Sequence, residues 1–226
     1  MWWWDPSYII VLPAMAFALY AQSRVKSAFA QNSRVRARSG ATGHRVARDI
    51  LDRAGLNRVL VERVPGELSD HFDPRKEALR LSEPVHDSSS IAALGVAAHE
   101  AGHALQHGRG YWPLQVRNLV LPSAQFGSSA AFPLAIAGFF FNAPFLIDIG
   151  IFLFFGVVVF QVITLPVEFN ASSRALVLLE EGGYLDGSEL PKARAVLNAA
   201  ALTYVAAMAV AVTQLIRLLV LRGRRN

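Results

Sequence analysis

The stretch SIAALGVAAHEAGHALQH, from Ser90 to His107, decides how the rest of this chain is organised. It contains the pattern H-E-x-x-H at His99, Glu100 and His103. Residues four apart lie on one face of an α-helix, so His99 and His103 can bind one metal ion. Glu100 lies one residue further around the helix, where it can take a proton from a water at that metal. The pattern therefore predicts a catalytic metal site on a helix.

The rest of the stretch predicts that this helix is buried nearly all round. Serines at 88–90 are suitable N-caps, and Gly108 is a suitable stop. The residues between them are apolar and almost uncharged, which is typical of a buried helix. Two histidines and a glutamate are costly there unless something satisfies them. A pair of hydrogen-bonded core histidines is the alternative to a metal site, but it leaves Glu100 unexplained.

The composition indicates a membrane protein without disulfides. The chain has 226 residues, of which 53% are hydrophobic, and its mean hydropathy is +0.33. These values are high for a soluble domain. Because there is no cysteine, a zinc site has to use His, Asp or Glu. The formal net charge is +5, and the segment from Arg24 to Arg48 has seven basic residues and no acidic one. Hardly any aromatic residue lies among them, so they favour a membrane flank over a nucleic-acid site.

Apolar stretches predict about four transmembrane helices. Tryptophans at 2–4 and the apolar run at 8–21 indicate a retained signal-anchor. The stretches 119–141 and 145–165 are each long enough to cross a bilayer, and the tight turn between them predicts a transmembrane hairpin. A further uncharged stretch at 195–216 precedes a basic tail. The predicted fold class is a mainly α membrane protein with a small α+β catalytic domain that contains a short sheet or hairpin.

These features predict an organisation in five segments. They are a signal-anchor span at 1–22, a catalytic segment at 23–117 with the metal helix at 90–107, a transmembrane hairpin at 118–165, a second catalytic segment at 166–194, and a C-terminal span with a basic tail at 195–226. The basic flank of the first span favours a cytoplasmic catalytic side, whereas the basic tail favours the reverse. Since the first span usually dominates, we expect the catalytic side to be cytoplasmic.

The polar segment before the metal helix predicts a strand and a hairpin. Valines alternate with other residues at 59–64, and the short runs 68–72 and 78–82 flank a turn. His71 lies in this hairpin and has two interpretations. It is either a hydrogen-bond donor at the active site or a hairpin side chain with a local polar partner.

Glu168 is the predicted third metal ligand. The transmembrane hairpin returns the chain to the side it left, so Glu168 is the first carboxylate to emerge on the side of His99 and His103. Hydrolytic zinc sites commonly use two histidines and one carboxylate. The alternative is that Glu168 only caps its helix after Pro166.

Further candidates follow Glu168 along the chain. The alternative carboxylate ligands are Glu180, Glu181 and Asp186. Asn170 or Ser172 could orient a metal ligand through a hydrogen bond. Arg174 could polarise a substrate carbonyl or bind a substrate carboxylate, or it could snorkel or pair with an acidic neighbour.

Three stretches together are specific enough to indicate a family. LSDHFDPRKEALRLS at 68–82, SIAALGVAAHEAGHALQH at 90–107 and LPVEFNASSRAL at 165–176, in this order, resemble the YugP-like neutral zinc metallopeptidases of bacterial membranes. The resemblance implies a multi-pass protein of the bacterial inner membrane with one zinc ion and a zincin-like, gluzincin-like catalytic domain. It also implies His99 and His103 as zinc ligands and Glu100 as the general base.

The layout is also similar to that of the membrane proteases of the heat-shock and prenyl-protein-processing group. There a glutamate in an E-x-x-A-D motif supplies the third ligand. The sequence EFNAS matches that motif at Glu168 and Ala171, but Ser172 replaces the aspartate. The hydrogen bond that a carboxylate usually offers to a ligating histidine therefore has to come from elsewhere.

The expected function is zinc-dependent hydrolysis of peptide bonds by a membrane-embedded endopeptidase. Its partners are a protein or peptide substrate and the lipid bilayer, with no nucleic acid. The alternative is a metal-binding membrane scaffold or adaptor without turnover. Glu100 distinguishes the two, because a scaffold needs no general base beside its metal. A transporter fits poorly, since the spans carry almost no charge.

Overall fold

A computed structural model describes residues 6–223, which are mainly helical with one small sheet. The helices are a short 3-10 helix at Pro6–Ile10, α1 at Leu12–Asn32, α2 at Gly43–Arg53, α3 at Glu83–His86, α4 at Ile91–Gly108, α5 at Trp112–Phe140, α6 at Pro144–Glu181 and α7 at Leu190–Gly223. The strands are β1 at Leu60–Val64, β2 at His71–Asp73 and β3 at Ala78–Ser82. The predicted tryptophan anchor at 2–4 and the end of the basic tail lie outside the described residues.

The chain divides into two compact units. Unit 1 comprises Met1–Gln22, Gln115–Pro166 and Leu202–Asn226, and unit 2 comprises Ser23–Leu114 and Val167–Ala201. The segment limits predicted from the sequence stay a prediction.

Unit 1 contains the apolar helical segments. Within residues 6–223, the helices long and apolar enough to cross a membrane are α5, α6 and α7. The span predicted at 1–22 stays a prediction. Its helix, α1, begins at Leu12 and runs on to Asn32, well beyond the predicted end. It continues because neither glycine nor proline interrupts the chain between Ala14 and Gln31.

Charged side chains of unit 1 have partners within it. Asp148 accepts a hydrogen bond from Nε of Arg222 at 2.7 Å. The guanidinium of Arg217 lies 3.7 Å from the ring centroid of Tyr8 and donates to Ser7. These contacts tie the end of α7 to the beginning of α6 and to the 3-10 helix.

Unit 2 contains a three-stranded sheet with the order β1-β3-β2. The hairpin predicted around residue 75 forms as the antiparallel pair β2–β3, while β1 pairs with β3 in parallel. Asp70 closes this hairpin by accepting hydrogen bonds from the amide and hydroxyl of Ser82 at 2.8 and 3.0 Å. Burial raises the pKa of Asp70 although these hydrogen bonds oppose the shift.

The buried helix predicted at 90–107 forms as α4 and is the centre of unit 2. Ser90 caps it by accepting a hydrogen bond from the amide of Ala93 at 3.2 Å. α2 and α3 pack against it, and its own Leu94 shares a core with Val46 and Leu79, all fully buried. Packing on several sides explains why this helix is apolar almost all round.

Candidate metal centre

His99 and His103 lie one turn apart on α4, as their spacing requires. Their ring centroids are 4.7 Å apart, and the two ring planes are nearly perpendicular. Each side chain is only 12% exposed. Both histidines therefore present their Nε2 atoms to the same small volume.

Glu168 on α6 reaches this volume from the other helix. Its Oε2 lies 3.4 Å from Nε2 of His99 and 3.4 Å from Nε2 of His103. Glu168 is 3% exposed. Among the residues that the structure describes, these three form the group whose ligand atoms lie within 4.8 Å of one another. The alternative ligands Glu180, Glu181 and Asp186 are not part of it.

The donor set fits a divalent cation such as zinc. Two imidazole nitrogens and one carboxylate oxygen are the atoms that zinc accepts in hydrolytic sites. A buried carboxylate also needs a positive charge close to it. Burial lowers the pKa of His103, but its hydrogen bond to Glu168 and the charges of Glu100 and Glu168 raise that pKa by more. The site thus concentrates negative charge around the imidazole nitrogens.

Glu100 follows His99 on α4 and is 9% exposed. Its negative charge contributes to raising the pKa of His103. No contact of the described residues assigns it a role, so its function as a general base stays a prediction.

Each histidine has a neutral hydrogen-bond partner at Nδ1. The hydroxyl of Ser172 lies 3.1 Å from Nδ1 of His99. Oε1 of Gln106 lies 3.0 Å from Nδ1 of His103. Ser172 was a candidate for such a contact from the sequence, whereas Gln106 was missed. The signal was present, because Gln106 is an uncharged polar residue three positions after His103, on the same face of the helix.

The other predicted residues lie around this cluster or away from it. Asn170 contacts Gln106 and not a histidine, since its Oδ1 accepts from Nε2 of Gln106 at 3.0 Å. Arg174 donates from Nε to the same oxygen at 2.7 Å, and its guanidinium lies 6.0 Å from the ring centroid of Tyr111.

His71 is exposed on the hairpin. Its Nδ1 lies 2.8 Å from the carbonyl oxygen of Ser69, and its Nε2 lies 3.5 Å from Nη1 of Arg80. These are contacts within the sheet and its turn. A role for His71 at the active site stays a prediction.

A glycine allows α4 and α6 to approach closely at the centre. A methyl group on Gly102 would lie 3.0 Å from the carbonyl oxygen of Ala171 and 3.4 Å from its Cα. Both are backbone atoms, so they move only if the helix moves. The distance between the histidines and Glu168 therefore depends on the absence of a side chain at position 102.

We expect Gly102→Ala to weaken metal binding and lower the unfolding temperature, because it displaces the part of α6 that holds Glu168. The matched control is Gly95→Ala on the same helix, where the added methyl would lie 3.8 Å from Cβ of Ala193 in ordinary contact. Alanine is favoured over glycine in a helix by about 1 kcal/mol, so the control should be at least as stable as the parent. Thermal unfolding and metal titration of both variants measure the difference. Equal behaviour of the two would contradict the close-approach argument.

Comparison with known proteins adds two findings. The model of a family described as "Putative neutral zinc metallopeptidase" matches residues 7–223. A protein of Bacillus subtilis (strain 168), named "Putative membrane protease YugP", is 46% identical over 217 residues, which cover 95% of this chain and 96% of that protein. No solved structure matches the chain significantly.

Proposed function

The chain belongs to the family of neutral zinc metallopeptidases, and from this premise we propose that it is a membrane-embedded, zinc-dependent endopeptidase. The observation that carries the proposal is the buried cluster of His99, His103 and Glu168, with Glu100 next to it on α4. A scaffold without turnover would need the cluster but not a further buried carboxylate. Hydrolysis of a protein or peptide substrate uses both.

His99, His103 and Glu168 would hold one zinc ion through Nε2, Nε2 and Oε2. Three protein ligands would leave room for water or substrate, as in catalytic rather than structural zinc sites. When bound, the ion supplies a Lewis acid that polarises the scissile carbonyl and lowers the pKa of water.

Glu100 is the proposed general base. Its carboxylate takes a proton from the attacking water and later passes it to the leaving amine nitrogen. Glu100 is 9% exposed, so little of its side chain is open to bulk solvent. Ser172 holds the ring of His99 by a hydrogen bond at Nδ1, which keeps Nε2 directed at the cluster.

Removal of the metal tests this proposal. The purified protein should contain about one zinc per chain and should cleave an unfolded protein substrate. A strong chelator should abolish cleavage, and added zinc should restore it, since the proposed mechanism requires the Lewis acid that the ion supplies. Elemental analysis and a gel assay measure both quantities. Cleavage that persists in the zinc-free protein would rule out the mechanism.

We propose four spans, one at 1–22 and three formed by α5, α6 and α7. Two crossings, along α5 and then α6, return the chain to the side it left. Glu168 thereby emerges on the side of α4. The basic segment after the first span favours the cytoplasmic side of a bacterial inner membrane.

The orientation can be measured by cysteine labelling, because the natural chain contains no cysteine. Lys76 is exposed in the turn between β2 and β3, and Phe141 is 78% exposed after α5. In right-side-out membrane vesicles, a membrane-impermeant maleimide should label Phe141→Cys. It should label Lys76→Cys only after lysis. The opposite pattern would place the catalytic side outside.

A further inference from the structure

Gln106 is a fully buried amide at the centre of a hydrogen-bond chain that begins at a proposed zinc ligand. It is 0% exposed. Its Oε1 lies 3.0 Å from Nδ1 of His103, and its Nε2 donates to the carbonyl oxygen of Val167 at 2.9 Å and to Oδ1 of Asn170 at 3.0 Å. An amide buried this completely is retained at low cost only when its donors and acceptor are paired, as here.

The contact with Val167 determines which way the amide faces. A main-chain carbonyl oxygen can only accept a hydrogen bond, so the NH₂ group of Gln106 has to point at it. The oxygen of Gln106 then has to face His103. Because that oxygen can only accept, Nδ1 of His103 has to carry the proton.

Arg174, at the other end of this hydrogen-bond chain, independently imposes the same orientation on the amide of Gln106. Arg174 can only donate, so the oxygen of Asn170 has to face it at 2.7 Å. That oxygen then also accepts from Gln106, which again directs the NH₂ group of Gln106 towards α6. Two groups that cannot reverse their roles, a carbonyl and a guanidinium, thus hold one amide in one orientation.

We propose that Gln106 is a positioning residue that holds His103 in the tautomer protonated at Nδ1 and so presents the lone pair of Nε2 to zinc. The inference rests on the proposed function, since it assumes zinc at the cluster. Nε2 is the atom that lies 3.4 Å from Oε2 of Glu168. Ser172 cannot act on His99 in this way, because a hydroxyl can donate or accept and therefore permits either tautomer.

The same residue couples the two helices that carry the ligands. Gln106 is on α4, three positions after His103, and Val167 is the residue before Glu168 on α6. One side chain therefore sets the tautomer of one ligand and the position of the backbone beside another. Its neutral amide also adds no charge to a cluster that already contains Glu168 and has Glu100 next to it on α4.

Gln106→Met tests the proposal, because methionine has a similar volume but offers no comparable donor or acceptor. We expect the affinity for zinc, measured by competition with a chromogenic chelator, to fall about 10- to 100-fold. At saturating zinc, kcat should fall while KM stays near the parental value, since Gln106 is fully buried and out of reach of a bound substrate. Zinc affinity equal to that of the parent would overturn the inference.

Two variants of Asn170, the next residue in the hydrogen-bond chain, provide a second test that does not require Gln106→Met to fold. Asn170→Asp keeps an oxygen that accepts from both Gln106 and Arg174, whereas Asn170→Leu removes it. We expect zinc affinity to stay close to that of the parent in Asn170→Asp and to fall in Asn170→Leu. Equal zinc affinities in the two variants would overturn the inference that the orientation of Gln106 is fixed through Asn170 and presents His103 to zinc.

The control for a merely structural effect is Val46→Ala, which removes fully buried side-chain volume from the core of unit 2 without touching the chain of hydrogen bonds. It should lower the unfolding temperature but keep the parental zinc affinity. If it lost zinc affinity as much as Gln106→Met does, the effect of Gln106 would be one of stability, and the inference would fail. A parent that binds no zinc would instead refute the proposed function itself.

Discussion

Glu100→Gln is expected to keep its zinc and to lose peptide hydrolysis, with kcat lower by about 10²- to 10⁴-fold. The amide has almost the shape of the carboxylate, so α4 and the three proposed ligands should remain in place. It cannot accept a proton from water at neutral pH, and the proton transfer that the mechanism needs is therefore lost. Elemental analysis of the purified variant and its rate on an unfolded protein substrate measure the two properties separately.

The matched control for Glu100→Gln is Glu62→Gln, which changes a half-buried carboxylate on β1 that pairs with Arg80. It has the same chemistry and lies outside the proposed machinery, so its zinc content and rate should be parental. Parental hydrolysis by Glu100→Gln would exclude Glu100 as the general base. Loss of zinc together with activity would instead indicate that Glu100 supports the metal and not the proton transfer.

Glu168→Gln is expected to lose zinc. Its carboxylate is the anionic member of the proposed ligand set, and Oε2 lies 3.4 Å from both histidine nitrogens. We expect the fall in zinc affinity to exceed the roughly 10- to 100-fold typical of losing a residue that only orients a ligand. Hydrolysis should fall to the level of the chelator-treated parent. Chelator competition and elemental analysis measure the loss.

The control for Glu168→Gln lies on the same helix. Glu180 is exposed near the end of α6 and was an alternative ligand from the sequence. Glu180→Gln should retain zinc and activity, because an exposed carboxylate outside the cluster contributes little to a buried cation. If Glu180→Gln lost zinc and Glu168→Gln kept it, the third ligand would have been chosen wrongly.

The elements with strong local signals were predictable from the sequence. The buried helix α4 was predicted from a serine cap, an apolar composition and a glycine stop, and it forms between Ile91 and Gly108. The antiparallel hairpin was predicted from two short runs flanking a turn, and β2 and β3 pair in that way. Apolar stretches were predicted at 119–141, 145–165 and 195–216, and α5, α6 and α7 form there, although each helix begins earlier and α6 continues past Pro166 to Glu181.

Other features depend on contacts between residues far apart in the chain. The parallel pairing of β1 with β3 was not predicted, because the sequence of neither strand indicates which strand it pairs with. The helix at the start of the chain runs on to Asn32, past the limit predicted from hydrophobicity. Hydrophobicity marks where a chain turns polar, and that need not be where a helix ends.

The sequence by itself determined the local chemistry of the candidate site. The spacing of His99 and His103 places two imidazoles on one face of α4, and that relation holds wherever the helix lies. Adjacent to them, the position of Glu100 is likewise a consequence of helix geometry. These are short-range relations, set by the rise and twist of one helix.

The sequence predicted Glu168 as the third ligand, but only the tertiary structure shows its carboxylate close to both histidines and adds Gln106 to the candidate site. Glu168 is separated from His99 by a long apolar segment of the chain. Its Oε2 nevertheless lies 3.4 Å from Nε2 of His99, because α6 packs against α4 where Gly102 leaves room. Gln106 joins the candidate site for the same reason, since its partners Val167 and Asn170 are on α6. Helix periodicity relates residues within one helix only. The approach of two helices depends on how their side chains fit together, which no single residue of the sequence indicates.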